Sequence, residues 1–336
     1  MSSTQHKKPP SPPRPSASLI VVNAKNEILM VQRHTESRSF GGAHVFPGGN
    51  YDSAQDSSLE MTAIRETFEE TGVLLASRVT GSEDSGIPES LCDEARKAIH
   101  AGKRLFTDFL SEHGLVADTS SLLPFSTWVT PSDSPVRFRA KFFVTFLPVA
   151  SALSGPSSGT HTHRLPTPDS PNDGAGPNST SQTTEVVSAE YIHPSVTLAA
   201  FARGEVGLMP PQLYILTTLN DIFKSGSSPG SAAERDSSEN ININTSAHRE
   251  QVARLSRSMF GRMEFNPQHL VPHNSPDGSH ILVLEGDEAR GGRKGCLHRT
   301  IFVPQKGTLV PKKMNLLRNF DVFTDLEEVV SRQAKL

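Results

Sequence analysis

The segment SSLEMTAIRETFEETGV, residues 57–73, constrains the fold of this chain more than any other part of the sequence. Ser57 and Glu60 have the spacing of a capping box, in which two side chains satisfy the free N–H groups at a helix start. Gly72 has the position typical of the residue just past a helix end. Between them, apolar residues recur at helical spacing: Leu59, Ala63, Ile64 and Phe68. The segment therefore predicts a helix with one face turned toward a core.

This helix would carry three glutamates at unusually close spacing. Glu66, Glu69 and Glu70 stand at i, i+3 and i+4, so their carboxylates lie on one side of the helix. Like charges at these spacings repel by a few tenths of a kcal/mol, and a bound cation would relieve that repulsion. Mg²⁺ and Mn²⁺ prefer such hard oxygen ligands. A bare Glu-x-x-Glu-Glu is more often a solvated acidic face, so the metal interpretation depends on the surrounding sequence.

Composition excludes several classes of protein. The formal net charge of −3 argues against a protein that binds nucleic acid in general, because such proteins are usually basic. No run approaches the roughly 18 apolar residues of a membrane span. The two cysteines, Cys92 and Cys296, are too few for a disulfide framework or a zinc site.

Apolar segments and low-complexity segments divide the chain. Strand-like and helix-like runs alternate, which predicts a layered α/β or α+β domain with loop insertions. We predict the following organisation: a disordered arm at 1–17, a main folded domain at 18–224 with a helical insertion at 91–114 and a disordered loop at 150–184, a low-complexity linker at 225–248, and a C-terminal extension at 249–336. The sequence does not reveal what the extension binds.

The residues around the glutamates resemble the Nudix hydrolase signature, G-x5-E-x7-R-E-U-x-E-E-x-G-U, in which U is apolar. The matching residues are Gly49, Arg65, Glu66, Phe68, Glu69, Glu70, Gly72 and Val73. The resemblance implies the Nudix fold, an α/β protein in the form of an α+β sandwich, with a mixed β-sheet between helices. It also implies hydrolysis of a nucleoside diphosphate linked to another group, with Mg²⁺ or Mn²⁺ as cofactor.

The resemblance assigns roles to individual residues. Glu66, Glu69 and Glu70 would hold the metal and carry catalysis, and the forked guanidinium of Arg65 would brace them. Glu185, after the long loop, has the place of a further catalytic carboxylate in the family, although a surface glutamate is as good an interpretation.

One feature departs from the family pattern. The spacing from Gly49 to Arg65 is two residues longer than the signature, and Ser57 stands where the first glutamate is expected. Asp52 and Asp56 are nearby carboxylates that could replace it.

The flanks of the signature resemble the coenzyme A diphosphatase branch of the family, which includes a peroxisomal enzyme. The approach GAHVFPGG and the downstream segments PFSTWVTP and LMPPQLYIL carry this resemblance. It implies cleavage of coenzyme A or acyl-CoA to 3′,5′-ADP and (acyl-)4′-phosphopantetheine. For binding of such a substrate we predict two glycines and three cations: Gly48, Gly49, Arg33, Arg38 and Arg139.

The last three residues, Ala334, Lys335 and Leu336, differ by one small residue from the peroxisomal Ser-Lys-Leu address. We therefore expect a peroxisomal protein that binds an import receptor, with the cytoplasm or the mitochondrion as the alternative.

Three other functions stay open. The array expected for an NADH diphosphatase is absent, since SLLPFSTWVTP stands in its place. Pro88 falls where ADP-ribose diphosphatases tend to carry a proline, but a proline is common in such a loop. A non-catalytic Nudix-fold sensor is the third alternative, and the intact glutamates argue against it.

Overall fold

The structure is a computed structural model. It describes residues 10–37, 40–79, 87–147, 186–225, 246–270, 278–305, 307–308, 310–311 and 313–331. The strands are β1 (Arg14–Val22), β2 (Ile28–Arg33), β3 (His44–Val45), β4 (Gly48–Asn50), β5 (Ala76–Arg78), β6 (Leu115–Ala117), β7 (Leu123–Val129), β8 (Phe138–Phe146), β9 (Val186–Ile192), β10 (Glu264–Phe265), β11 (Gln268–His269), β12 (His280–Val283), β13 (His298–Val303) and β14 (Lys313–Arg318). The helices are α1 (Leu59–Thr71), α2 (Glu89–His100), α3 (Phe106–Glu112), α4 (Pro194–Arg203), α5 (Pro210–Ser225), α6 (Ser246–Arg257), α7 (Met259–Arg262) and α8 (Leu326–Ser331).

A mixed sheet is the frame of the domain. In the part of the chain that the structure describes, eight strands form it, with the path β10-β7-β8-β1-β2-β3, while β4 pairs with β1 and β9 pairs with β2. The central pair, β1 and β8, runs parallel over nine residue pairs, from Arg14 opposite Phe138 to Val22 opposite Phe146. β1 begins at Arg14, so residues 14–17 of the predicted N-terminal arm belong to this strand.

Residues 44–50, a short segment that we call the wedge, separate β1 from β2 at the end of the sheet where the glutamates lie. β1 and β2 form a hairpin but pair only at Val22 and Ile28, after which they separate. Residues 44–50 fill the gap, because β3 pairs with β2 and β4 pairs with β1. The Ser18 hydroxyl lies 3.0 Å from the Pro47 carbonyl oxygen and donates a hydrogen bond to it, which ties the wedge to β1. The Pro-Gly-Gly turn is thereby fixed at one end of the sheet.

Alternation along β1 divides the core into two layers. Leu19 and Val21 face α1, α2 and α3, whereas Ile20 and Val22 face the helices and strands of the C-terminal half. Successive side chains of a strand point to opposite faces, so a run that is buried throughout predicts a strand covered on both sides. The fold class predicted from the sequence, a mixed sheet between helices, is confirmed.

Helix α1 has the predicted end and a different start. The Ser58 hydroxyl accepts a hydrogen bond from the Met61 N–H, so Ser58 is the N-cap and the prediction of Ser57 is wrong by one residue. Both residues are serines, and either can cap a helix. Gly72 adopts a left-handed conformation with φ of 78° and donates its N–H to the Phe68 carbonyl, as the sequence predicts.

The helical insertion contains two helices instead of one. α2 ends at His100, and α3 begins at Phe106 after the turn around Gly102, whose φ is 66°. Phe106 and Phe109 of α3 pack against Phe68 of α1, with ring centroids 5.6 and 5.3 Å apart. The insertion therefore completes the core on the outer side of α1.

The C-terminal residues belong to the same core as the sheet. β10 extends the main sheet, and β11-β12-β13-β14 form a second, antiparallel sheet. α5 is apolar on nearly all sides and lies between the two sheets' side chains, which is the pattern of a fully buried helix. The linker at 225–248 is described only at its ends, and the loop at 150–184 and the AKL tail lie outside the described residues. Within the described chain, no helix has the length and apolar composition needed to cross a membrane.

His298 joins the two parts of the core. The ring is fully buried; Nδ1 lies 2.7 Å from the Glu285 carbonyl oxygen and Nε2 lies 2.9 Å from the Tyr214 hydroxyl. Because a carbonyl only accepts, Nδ1 carries the proton and Nε2 accepts from Tyr214. Burial lowers the pKa of His298 to about 4, helped by Arg318 and Arg290 and opposed by the Glu285 carbonyl and Asp287.

His298 should make the protein sensitive to acid. An unfolded histidine has a pKa of about 6.5, so between pH 6.5 and 4 the unfolded chain binds more protons and the free energy of unfolding falls as pH falls. The full effect is on the order of 3 kcal/mol. We expect His298→Gln to lose stability less steeply over this range, as measured by urea unfolding at several pH values. Half-buried His44 and His193 and buried His248 also have lowered pKa values and should keep part of the dependence. An unchanged slope in His298→Gln would contradict this assignment.

Candidate active site

The three glutamates lie on the last two turns of α1, at the end of the sheet that the wedge opens. Glu66 packs directly on Gly49 of the wedge. A Cβ atom at Gly49 would lie 2.4 Å from the Glu66 carboxylate, so a side chain there would displace this carboxylate. Glu70 is tied to the neighbouring residue, because its Oε2 accepts a hydrogen bond of 3.0 Å from the Gly48 N–H. A Cβ at Gly48 would meet the Ala17 carbonyl oxygen at 2.3 Å. The two glycines are required by these close approaches.

Arg65 contacts the glutamates from the buried side of the cluster. The residue is 3% exposed, and its guanidinium lies 3.0 Å from the Glu66 carboxylate and 2.7 Å from that of Glu69. Burial alone would lower the pKa of Arg65, but the hydrogen bond to Asp56 and the charges of Glu66 and Glu69 raise it on balance. Arg65 is therefore a permanent cation among the carboxylates, in agreement with the bracing role that the family resemblance implies.

Asp56 pairs with the buried side of the Arg65 guanidinium. Its two carboxylate oxygens accept from Arg65 Nε at 2.8 Å and Nη2 at 2.9 Å. The Asp52 N–H and the Thr62 hydroxyl donate to the same carboxylate at 2.9 Å each. The Asp52 side chain is exposed and bonds to its own loop. Of the two candidates from the sequence, the structure places Asp56 in contact with Arg65.

Burial disfavours the charged form of the Glu66 carboxylate. Burial and the neighbouring Glu69 raise the pKa of Glu66 to about 7, although Arg65 opposes the shift. An added cation would stabilise the ionised form, and three carboxylates are the donor type that Mg²⁺ and Mn²⁺ select. The donor set thus fits a divalent metal in its chemistry. Among the described residues, however, no three His, Cys, Asp or Glu side chains converge as a ready-made metal site.

The inserted helix α2 holds the end of α1. The Glu69 backbone carbonyl faces Arg96, whose Nη2 donates to it at 3.2 Å and whose Nε lies 3.4 Å away. His100 Nδ1 lies 3.5 Å from the Glu69 carboxylate. The last carbonyls of a helix have no partner within the helix, so Arg96 supplies one. Neither residue was predicted from the sequence, although a cation between buried Ala95 and Ile99 is a signal that could have indicated it.

The remaining predicted residues have different positions. Arg33, at the end of β2, has Nη1 3.9 Å from Glu70 Oε1 and belongs to the cluster. Arg139 is exposed on β8 and forms an ion pair with Glu264. No contact recorded for the described residues joins it to the glutamates. Arg38 and Glu185 lie outside the described residues, so their predicted roles stay predictions.

Comparisons with known proteins agree with this geometry. Residues 12–143, from the first strand to β8, match the family model of the NUDIX domain. Over these residues the chain is similar to the NUDIX domain, which confirms the resemblance predicted from the sequence.

Similar proteins include nudix hydrolase 7 from Caenorhabditis elegans, at 24% identity over 62% of this chain and 61% of that protein. Acyl-coenzyme A diphosphatase NUDT19 from Gallus gallus is 23% identical over 60% of this chain and 64% of that protein. The chain therefore matches less than two thirds of the length of either relative. A NUDIX hydrolase from Alicyclobacillus acidocaldarius aligns with 63% of this chain and 92% of its own, at 23% identity and a TM-score of 0.48.

Removal of the Asp56 charge should destabilise the protein. In Asp56→Asn an amide with one oxygen replaces a carboxylate that accepts from Asp52, Thr62 and Arg65, and breaking a buried ion pair costs about 3 kcal/mol or more. Urea unfolding followed by the fluorescence of Trp128 measures the loss. Asp52→Asn, four residues away and exposed, is the matched control and should change stability by less than about 0.5 kcal/mol. Equal effects of the two changes would contradict the bracing role of Asp56.

Arg96 should position Glu69 without touching substrate. We expect Arg96→Met, which keeps the aliphatic packing and removes the guanidinium, to weaken Mn²⁺ binding by roughly tenfold and to lower kcat more than it raises KM. Exposed Lys97→Met on the same helix is the control and should match the wild type. Mn²⁺ titration by electron paramagnetic resonance separates this role from a loss of fold. Unchanged Mn²⁺ affinity in a folded Arg96→Met protein would show that the contact is only structural.

Proposed function

We propose that this chain is a divalent-metal-dependent diphosphatase that cleaves coenzyme A or acyl-CoA to 3′,5′-ADP and (acyl-)4′-phosphopantetheine. The observation that supports the reaction is the cluster of Glu66, Glu69 and Glu70, buried against Gly48 and Gly49 and braced by the Arg65–Asp56 pair. Support for the substrate comes from the flanking sequence and from the name of the chicken relative, acyl-coenzyme A diphosphatase.

Nudix hydrolases in general use divalent metals such as Mg²⁺ or Mn²⁺. A cation bound to Glu66, Glu69 and Glu70 would neutralise the pyrophosphate and lower the pKa of a water molecule. In the chain itself, Arg65 keeps Glu66 and Glu69 in place, and the Gly48 N–H keeps Glu70 in place. Arg33, beside Glu70, is positioned to attract a phosphate oxygen.

The overall reaction is the addition of one water to one anhydride bond. The water oxygen forms a bond to phosphorus, the bridging oxygen leaves with the other phosphate, and the remaining proton goes to a base. Glu185 is our candidate for that base, and the proposal awaits a test because this residue lies outside the described part of the chain.

The cellular location is a separate proposal. Provided that Leu336 is also the end of the natural protein, the Ala-Lys-Leu tail would bind a peroxisomal import receptor. Peroxisomes contain acyl-CoA substrates, which agrees with the proposed activity.

The main test is product analysis of the purified protein with Mg²⁺ or Mn²⁺. Free CoA, acetyl-CoA, NADH and ADP-ribose should be offered side by side. We expect 3′,5′-ADP from the two CoA substrates. Glu70→Gln should lower this turnover by at least about a hundredfold, because a neutral amide replaces a charged oxygen ligand. Glu60→Gln, at the first turn of the same helix and outside the cluster, should keep wild-type activity.

Other outcomes would replace the proposal. Turnover of NADH or ADP-ribose alone would retain the enzyme class and discard the substrate. Full metal-dependent activity in Glu70→Gln would remove the glutamate cluster from catalysis. Absence of any turnover would favour the non-catalytic sensor.

A further inference from the structure

A cavity of about 880 Å³ lies outside the glutamate cluster. Three described parts of the chain line it: residues 35, 37 and 40–42 after β2, residues 201–207 from the end of α4 toward α5, and residues 305, 307–308, 310–311 and 313 from β13 to the start of β14. The volume is within the roughly 300–1,000 Å³ of small-molecule pockets. Phe201 and Val206 supply part of an apolar wall, and Thr35, Ser37 and Thr308 supply hydroxyls.

The cavity is adjacent to the candidate active site through one loop. The loop at 34–43 leaves β2 at Arg33, whose guanidinium is 3.9 Å from Glu70. It returns through the wedge to Gly48, whose N–H donates to the same glutamate. The Gly42 N–H donates to the Arg33 carbonyl at 3.2 Å, which closes the loop. The residues that precede and follow this loop in the chain, Arg33 and Gly48, both contact Glu70, which places the start of the loop beside the glutamate cluster.

The C-terminal part of the chain builds the far wall. Val310 packs in a small apolar cluster with Val31, Ala43 and Val45. Val31 belongs to β2 and Val45 to β3, which pair with each other at the wedge. It also approaches Gly207 so closely that a Cβ there would lie 2.6 Å from a Val310 methyl group. The 305–313 loop is thus held against the catalytic domain, outside the residues 12–143 of the NUDIX domain.

The lining is almost neutral. Among the described lining residues only Arg203, Glu205 and Lys313 carry charge. Arg203 and Glu205 form two hydrogen bonds with each other, at 2.6 and 2.7 Å, so their charges cancel. A 3′-phosphorylated nucleotide would require several cations. Hydroxyls, backbone amides and apolar surface suit instead a neutral, flexible chain that contains amide groups.

We propose that this cavity binds the pantetheine arm of the substrate, so that the C-terminal segment 305–313 contributes to substrate selection. The inference rests on the proposed function and specifies which half of coenzyme A lies on which side of the glutamates. The pyrophosphate lies at Glu66 and Glu70, the pantetheine arm enters the cavity, and the nucleotide half extends away from it.

Ala202→Phe tests the inference. Ala202 is exposed, lines the cavity and stands at the penultimate position of α4, so a phenyl group can fill the cavity without entering the core. Val196→Phe adds a phenyl group at an exposed position of the same helix away from the cavity and is the matched control. KM and kcat are measured with CoA and acetyl-CoA, and the Kd of 3′,5′-ADP is measured by calorimetry.

The expected result is a rise of at least tenfold in KM for both CoA substrates in Ala202→Phe, with kcat within twofold and an unchanged Kd for 3′,5′-ADP. If Ala202→Phe behaves like Val196→Phe while the wild type cleaves CoA, the inference is overturned and the proposed function stands. Weaker binding of 3′,5′-ADP in Ala202→Phe would assign the cavity to the nucleotide half and also overturn it. A wild type that does not cleave CoA would remove the proposed function and the inference together.

Discussion

The buried guanidinium of Arg65 is the interaction on which the candidate site depends. Three carboxylates within five residues of one helix repel one another, and two of them lie against backbone instead of in water. The positive charge of Arg65 offsets this repulsion from inside the protein, and Asp56 fixes the orientation of the guanidinium. The arrangement leaves Glu66 buried and therefore harder to ionise, as its raised pKa indicates. The site is stable enough to persist and still favours a further cation.

The backbone of the wedge also holds the glutamates in position. The wedge at 44–50 brings Gly49 against the Glu66 carboxylate and the Gly48 N–H to Glu70, while Gly48 itself lies too close to the Ala17 carbonyl for a side chain. Because β1 and β2 separate after a single residue pair, the wedge can pair with both strands and is held from both sides. The position of α1 over the sheet is therefore fixed at the end of the helix that carries the glutamates.

Local features of the site were predictable from the sequence, and long-range ones were not. The spacing of Glu66, Glu69 and Glu70 and the cap at Gly72 are local properties of one helix, and the structure reproduces them. Ser57 and Ser58 are equivalent as caps in sequence, so the exact start of α1 was ambiguous. The contacts of Asp56 with Arg65 and of Arg96 with Glu69 join separate segments, which periodicity cannot pair. The ion pair of Arg139 with Glu264, 125 residues away in the chain, could not be predicted for the same reason, and the role of Arg139 in substrate binding stays a prediction.

The C-terminal part of the chain connects stability with the site. Its residues share one apolar cluster with α5 and the sheet, and Val310 of the same region packs on the strands that hold the wedge. A rearrangement of the 305–313 loop would therefore change both the cavity wall and the support of β3. Since β3 leads directly into Gly48 and Gly49, such a rearrangement would also move the backbone that contacts Glu66 and Glu70. This coupling follows from packing alone and explains why the segment cannot be regarded as a tail added to a finished domain.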